Sequence, residues 1–312
     1  YIPMGHEWIT RLSYYELVGN DPLSINYNND PRKKDSWPSA CNAKNIDISS
    51  RQVQQEVNRI RKLNSNEWNR SLTTQSAYNT FGVKDGAVFS AVMGQRWVDL
   101  AGFNVIKPDQ KTCFEGVTQE AIETQAHHYM RKWNDNGPQG GVTAAKLSNQ
   151  SFIQFFVDAA MADSRMIAFY DGGAFSAKMT ADHNYFLFGR AMHLFQDAFS
   201  SEHTVRRRED HYQRIRQVKS YSCTKGAEQH AHDLNKIHNF TSGDVIWKPG
   251  TKLSIKSWKG YQPSNMKILA LVALEANKDL WAAFIRTMAV PKKKISGMKR
   301  GHRRSTDALK AP

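Results

Sequence analysis

Cysteine is scarce in this sequence, with three residues among 312, at Cys41, Cys113 and Cys223. None of them forms a CxxC pair, which excludes a disulfide framework and a cysteine-rich zinc site. Long apolar runs are also absent. The longest, residues 268–276, is interrupted at Glu275 and falls short of the ~18–20 residues that a membrane-spanning helix needs. The three thiols fit a reducing or an oxidising compartment equally well.

Strand patterns are few. Residues 252–256 alternate between apolar and polar over five positions, and residues 244–247 form a shorter pattern still. Helical patterns are longer and more frequent. They predict helices at residues 7–18, 49–63, 117–133, 152–170, 185–199 and 265–290. We therefore predict a mainly α fold, a single all-helical domain over residues 1–290 with long loop insertions.

Acidic residues are outnumbered, at 29 against 43 lysines and arginines, so the net charge is +14. Such a surplus attracts phosphate-bearing partners: nucleic acid, an anionic membrane surface or a phosphorylated substrate. Simple solubility is the alternative explanation. Part of the excess lies in a basic C-terminal tail, residues 291–312, which we expect to be a solvated end.

The predicted helix 185–199 is apolar on nearly all sides except at His193 and Asp197. A spacing of four places both side chains on the same helical face. Taken alone, this pattern fits a buried ion pair or a metal site. His203 follows six residues after Asp197, and imidazole with carboxylate donors is typical of zinc. Without cysteine, such a site would be of the open, catalytic type.

Other potential ligands are spread along the chain. His6 follows a glycine near the start, Asp99 follows Gly94, and His127 and His128 lie in the predicted helix 117–133. Residues 228–233, Glu-Gln-His-Ala-His-Asp, add four more candidates. Each is weak by itself, but together they exceed what one zinc ion needs.

The order and spacing of these residues resemble the zinc-dependent phospholipase C and P1 nuclease superfamily. The matching segments are Tyr1-Ile-Pro-Met-Gly-His6, Gly94-x4-Asp99, Gln125-Ala-His-His-Tyr129 and His193-x3-Asp197-x5-His203. The resemblance extends to about residue 233. The 93 residues from His6 to Asp99 form a longer interval than in that family, so we predict an insertion within residues 20–90.

The resemblance implies an all-helical enzyme with three zinc ions. One ion would take Asp99, His127, His193 and Asp197, with His128 in reserve. A second would take the amino group and carbonyl of Tyr1, His6 and the bridging Asp197. The third would take His203 and two residues of 228–233. We assign His230 and His232, although pairs with Glu228 or Asp233 stay open because the family's closing His-x3-acid pattern is absent.

The resemblance also implies zinc-dependent hydrolysis of phosphodiester bonds, with Asp99 holding or deprotonating the attacking water. Two or three divalent charges suit a reaction at phosphate. The spacing of Tyr1 and His6 is closer to the nucleases, which cleave single-stranded nucleic acid. The serine-rich segment after Asp197 and the Gln-His-x-His stretch at 229–232 are similar to bacterial secreted phospholipases C. The long insertion also differs from the compact nucleases.

We therefore predict a phospholipase C that releases a phosphorylated headgroup from glycerophospholipids such as phosphatidylcholine at a membrane surface. A single-strand nuclease is the first alternative, and a non-enzymatic basic helical protein that binds nucleic acid is the second. The family implies a secreted or periplasmic protein, with Tyr1 as the amino terminus after signal-peptide removal. No obligate protein partner is predicted.

Overall fold

The computed structural model describes residues 5–19, 21–37, 47–62, 85–100, 125–131, 137–163, 166–170, 178–219, 246–254 and 257–290. Over these residues the protein is built from helices with two small sheets, so the prediction of a mainly α fold is confirmed. None of the described helices is both long enough and apolar enough to cross a membrane.

The described helices, in chain order, are α1 (Gly5–Val18), α2 (Arg51–Lys62), α3 (Gly86–Leu100), α4 (Pro138–Met161), α5 (His183–Asp197) and α6 (Ile268–Ala289). Strand β1 (Met166–Tyr170) pairs antiparallel with β2 (Lys178–Asp182), and β3 (Thr204–Val205) with β4 (Gln217–Val218). Helices α1, α2, α5 and α6 therefore lie within a few residues of their predicted positions.

The predicted helix at residues 152–170 is wrong in its bounds. Helix α4 begins at Pro138 and ends at Met161, and the chain then enters strand β1. Proline suits the first helical position because the amide hydrogen that it lacks has no partner there. The end of the predicted helix is instead extended, because Met166–Tyr170 forms its backbone hydrogen bonds with β2.

A buried aromatic cluster joins α1, α5 and α6. The rings of Phe188 and Phe284 stack with their centroids 4.0 Å apart. The indole of Trp281 lies 5.0 Å from the Phe188 ring and 5.0 Å from the Tyr14 ring. All four side chains are fully buried, and aromatic residues of this kind dominate the energetics of a core. The cluster therefore fixes α1 and α5 relative to each other.

Helix α2 contributes to the same core, although it lies within the predicted insertion at residues 20–90. Its residues Val53, Val57 and Ile60 are buried in the cluster that includes the aromatic core. The Tyr185 hydroxyl of α5 donates a hydrogen bond of 2.8 Å to Glu56 Oε1 of α2. Helix α2 is therefore part of the common core and is hydrogen-bonded to α5.

Helices α3 and α5 approach each other backbone to backbone. A Cβ atom added at Gly94 would lie 1.8 Å from the carbonyl oxygen of Phe186. One added at Gly189 would lie 1.9 Å from the carbonyl oxygen of Ala91. Glycine is therefore required at both positions, because main-chain atoms of a packed helix cannot move aside as a flexible side chain can.

Replacing Gly189 with alanine is expected to lower the free energy of unfolding by at least the ~1–3 kcal/mol that overpacking typically costs. The physical reason is the contact with the Ala91 backbone. Urea unfolding of the variant and the wild type measures the loss.

Gly141 of α4 is the matched control, because a Cβ there meets only an Arg131 side-chain nitrogen at an ordinary 3.7 Å. Gly141→Ala should be neutral or stabilising by up to ~1 kcal/mol, since alanine is the better helix former. Equal stabilities for the two variants would contradict the close approach of α3 and α5.

Candidate metal centre

Asp197 is the last residue of α5, and its carboxylate is the centre of the site. The side chain is 1% exposed. His193, one helical turn earlier on the same face, directs Nε2 to within 3.1 Å of Asp197 Oδ2. The spacing of four therefore brings the two groups together, as the sequence predicts.

His6 reaches the same carboxylate from the first turn of α1. Its Nε2 lies 3.1 Å from Asp197 Oδ1, and its ring stacks on that of His193 with centroids 4.2 Å apart. The side chain is 26% exposed, in contrast to the buried Asp197. His6 therefore lies on the side of the site that is open to solvent.

His203 lies in the turn that follows α5. This turn is closed by backbone hydrogen bonds from the amides of His203 and Thr204 to the carbonyl oxygen of Ser200. The His203 Nδ1 lies 2.5 Å from the carbonyl oxygen of His128, and its Nε2 lies 3.5 Å from Asp197 Oδ1. A carbonyl only accepts, so Nδ1 carries a hydrogen, and in the neutral ring Nε2 presents its lone pair to the site.

The fourth imidazole belongs to His128. Its Nδ1 lies 3.4 Å from Asp197 Oδ2 and 3.1 Å from His193 Nε2, and its side chain is 2% exposed. His127, the preferred ligand in the sequence analysis, instead packs its ring against Phe155 with centroids 4.8 Å apart. The structure thus brings His128 to the group and places His127 against α4.

The reason for this exchange is local backbone geometry. Residues 125–126 are helical, but residues 127–129 form a turn in which Tyr129 has a φ of 54°. This left-handed conformation is uncommon for residues other than glycine and ends the helix. Helical periodicity therefore does not apply at His127 and His128.

The electrostatics of the cluster keep Asp197 ionised. Burial alone would raise the pKa of this carboxyl, but in the metal-free protein positive charge on His203, His193 and His6 outweighs burial, together with the polar contact from His128. The pKa of Asp197 is consequently held well below its usual range. No proton has to be displaced from this carboxylate before a cation binds.

The residues fit a divalent metal. One ligand atom each from His6, His193 and Asp197 lie within 4.8 Å of one another. Among the described residues, Asp197 Oδ2 receives no well-formed hydrogen bond despite its burial. The donor set of imidazole nitrogens and a carboxylate is one that zinc prefers. A buried acceptor facing imidazole nitrogens is therefore suited to a cation.

The remaining predicted site residues are not part of this geometry. Tyr1, His230 and His232 lie outside the described residues, as do Glu228 and Asp233. The backbone of Asp99 is part of α3, but its side chain is not among the parts of the chain that the structure describes. Their assignment as ligands stays a prediction.

Sequence reasoning missed Gln196, which directs its Oε1 to within 2.9 Å of His6 Nδ1. The one sequence signal that could have identified Gln196 is its position, because it is a neutral polar residue inside the His193-x3-Asp197 interval of an otherwise apolar helix. Its contact with α1 follows only from the packing of the two helices.

The chain is similar to Hemolysin-1 of Aeromonas salmonicida. The two sequences are 49% identical over 292 residues, which cover 92% of this chain and 48% of the relative. The chain thus spans about half the length of this curated relative. The family model of the Ribosomal L32p protein family matches residues 289–312, which include none of the candidate ligands. No solved structure matches the chain.

In the metal-free protein, Asp197→Asn is expected to lower the free energy of unfolding by about 3 kcal/mol near neutral pH, because it removes one partner of a buried ion cluster. The depressed pKa means that this contribution is complete above the ordinary aspartate value of ~3.9 and is lost as the pH falls through the folded-state pKa. Urea unfolding of both proteins in the presence of a chelator measures the difference from about pH 5, where free imidazoles are protonated, to more acidic pH. A difference that does not shrink below pH ~3.9 would contradict the depressed pKa.

Proposed function

We propose that this protein is a zinc-dependent phosphodiesterase. The observation that carries the proposal is the convergence of four imidazole rings, His6, His128, His193 and His203, on the buried Asp197. A purely structural ion pair needs only one positively charged side chain for each carboxylate. Four imidazole rings around Asp197 are more than such a pair requires. Several imidazoles around an ionised carboxylate match the ligands of a zinc site.

The two carboxylate oxygens of Asp197 face different pairs of rings. Oδ2 lies within 3.4 Å of nitrogens of His128 and His193, and Oδ1 lies within 3.5 Å of nitrogens of His6 and His203. This division supports a bridging role for Asp197 between two metal positions. We propose His128 as a ligand in place of His127. A third ion would depend on residues outside the described set.

Zinc in this position would offset the charge of a phosphodiester and lower the pKa of the attacking water. The protein's own residues hold the site in the required form. Asp197 is ionised and bears no proton, and the hydrogen bond from His203 to the His128 carbonyl keeps Nε2 of His203 available. The partial exposure of His6 gives a substrate access from that side.

The substrate that we propose is a glycerophospholipid in a membrane. The relative is named a hemolysin, and hydrolysis of membrane phospholipid is one chemical route to the lysis of cells. That name also supports an exported protein, as the resemblance to secreted phospholipases C implies. The relative is about twice as long, so its activity transfers to this chain only as a proposal.

The surface beside α1 has a charge that suits such a substrate. Lys248, Lys252 and Lys259 are exposed, and residues 246–267 contain no acidic side chain. The loop is anchored by Trp258, whose ring stacks on that of Trp8 with centroids 5.7 Å apart. Trp8 belongs, like His6, to the first turns of α1, so the loop packs on the helix that carries His6.

Two adjacent histidines provide a matched test of the metal site. His128→Ala is expected to weaken zinc binding by at least ~10-fold, because it removes a nitrogen that faces Asp197 Oδ2. His127→Ala should leave zinc binding close to that of the wild type. Titration against a chromophoric chelator measures the affinity, and elemental analysis of the purified proteins gives the zinc content.

The opposite ranking of the two variants would return the ligand role to His127. A wild-type protein without stoichiometric zinc would overturn the proposed function. Circular dichroism of both variants controls for the loss of secondary structure.

The substrate is tested by parallel assays on phosphatidylcholine vesicles and single-stranded DNA. Release of phosphocholine is expected, with the DNA left intact. EDTA should abolish the activity and added zinc should restore it, because the phosphate is activated by metal charge. Cleavage of DNA without phosphocholine release would assign the protein to the nucleases instead.

Asp99→Asn extends the same assay to the proposed role of Asp99. If Asp99 holds the attacking water, this variant should retain most of its zinc and lose turnover. Full activity in the variant would reject that role without affecting the assignment of the other ligands.

A further inference from the structure

The side chain of Gln196 lies between the candidate metal centre and helix α6. It is 3% exposed. Its Nε2 donates hydrogen bonds to Thr10 Oγ1 at 2.7 Å and to Asn277 Oδ1 at 3.0 Å, and its Oε1 lies 2.9 Å from His6 Nδ1. Three helices therefore meet at one buried amide.

The orientation of this amide is dictated by its neighbours. Asn277 Nδ2 donates a hydrogen bond of 2.7 Å to the carbonyl oxygen of Ala273, so Asn277 turns Oδ1 towards Gln196. An oxygen at that position needs a donor, and the amino group is the only donor of the Gln196 side chain. The Gln196 oxygen then has to face His6.

The consequence for His6 follows from the same donor and acceptor rules. An amide oxygen cannot donate, so His6 Nδ1 has to carry the hydrogen of this contact. In the neutral imidazole the lone pair is then on Nε2, the atom that lies 3.1 Å from Asp197 Oδ1. The ring stacked on His193 at 4.2 Å restricts the plane of His6 further.

We propose that Gln196 is a positioning residue that fixes the Nδ1–H tautomer of His6 and directs Nε2 towards the metal. This inference rests on the proposed zinc site and adds a residue that itself binds no metal. Groups that orient a ligating histidine through its other nitrogen stabilise metal binding in proteins, commonly by 10–100-fold in affinity. The His203 contact with the His128 carbonyl acts in the same way on a second ring.

The decisive comparison uses Gln196→Met, which preserves the length of the side chain and removes the acceptor. We expect its zinc affinity, measured by competition with a chromophoric chelator, to fall by about 10–100-fold relative to the wild type. Gln196→Glu restores an acceptor for His6 Nδ1–H and should recover part of the loss. Met and Glu variants with the same affinity as the wild type would overturn the proposal.

A second variant tests the hydrogen bonds from Asn277 through Gln196 to His6 without changing Gln196. Asn277→Leu removes one of the two acceptors that hold the Gln196 amino group, so the amide is freer to turn. A smaller loss of zinc affinity in the same direction is expected. The melting temperature of each zinc-free variant separates this effect from a structural one. A purely structural role for Gln196 would lower the zinc-free melting temperature and leave the zinc affinity unchanged.

Nuclear magnetic resonance of the zinc-loaded wild type provides a readout that needs no folded variant. Nitrogen-15 spectra should show a hydrogen on His6 Nδ1 and none on Nε2. A hydrogen on Nε2 would reject the assigned tautomer. Absence of zinc from the wild type would reject the proposed function itself, whereas equal zinc binding by wild type and Gln196→Met would reject the positioning role alone.

Discussion

The burial of the ionised Asp197 carboxylate is the constraint on which the candidate site depends. A buried carboxylate loses several kcal/mol of hydration unless charges or hydrogen bonds replace the water. Four imidazole rings replace it here, and they come from α1, from the turn at residues 125–131, from α5 and from the turn after α5. These elements have to meet at one point, so the packing of the helices is part of the site.

The hydrophobic core holds that meeting point in place. The aromatic cluster around Phe188 and Trp281 joins α1, α5 and α6, and the backbone contact at Gly189 brings α3 against α5. Helix α6 supplies none of the four rings. It nevertheless reaches His6 through the hydrogen bonds of Asn277 and Gln196. The orientation of one candidate ligand therefore depends on a helix that lies outside the cluster.

The chemistry of the cluster suits the divalent cation that we propose. If all four rings were protonated, their mutual repulsion would exceed the attraction of one carboxylate, because like charges at these distances repel strongly in a buried site. A single imidazolium would already balance the carboxylate, so an ion pair by itself does not require the other three rings. A divalent ion can take ligand atoms from several imidazoles and an ionised carboxylate at once. Zinc bound in this way would also suit an anionic phosphodiester.

The spacing of His193 and Asp197 was predictable from sequence alone, because both lie within one regular helix. The mainly α fold followed from the same periodicity. The interval from Asp197 pointed to His203 and the sequence resemblance singled out His6, but only the geometry shows that both face Asp197 Oδ1. Only the tertiary structure places His128 rather than His127 beside Asp197, because the left-handed Tyr129 ends the helix whose periodicity was used for prediction. The proposed role of Gln196 also follows only from the tertiary structure. Its partners Thr10 and Asn277 are far from Gln196 in sequence and contact it only because the three helices pack together.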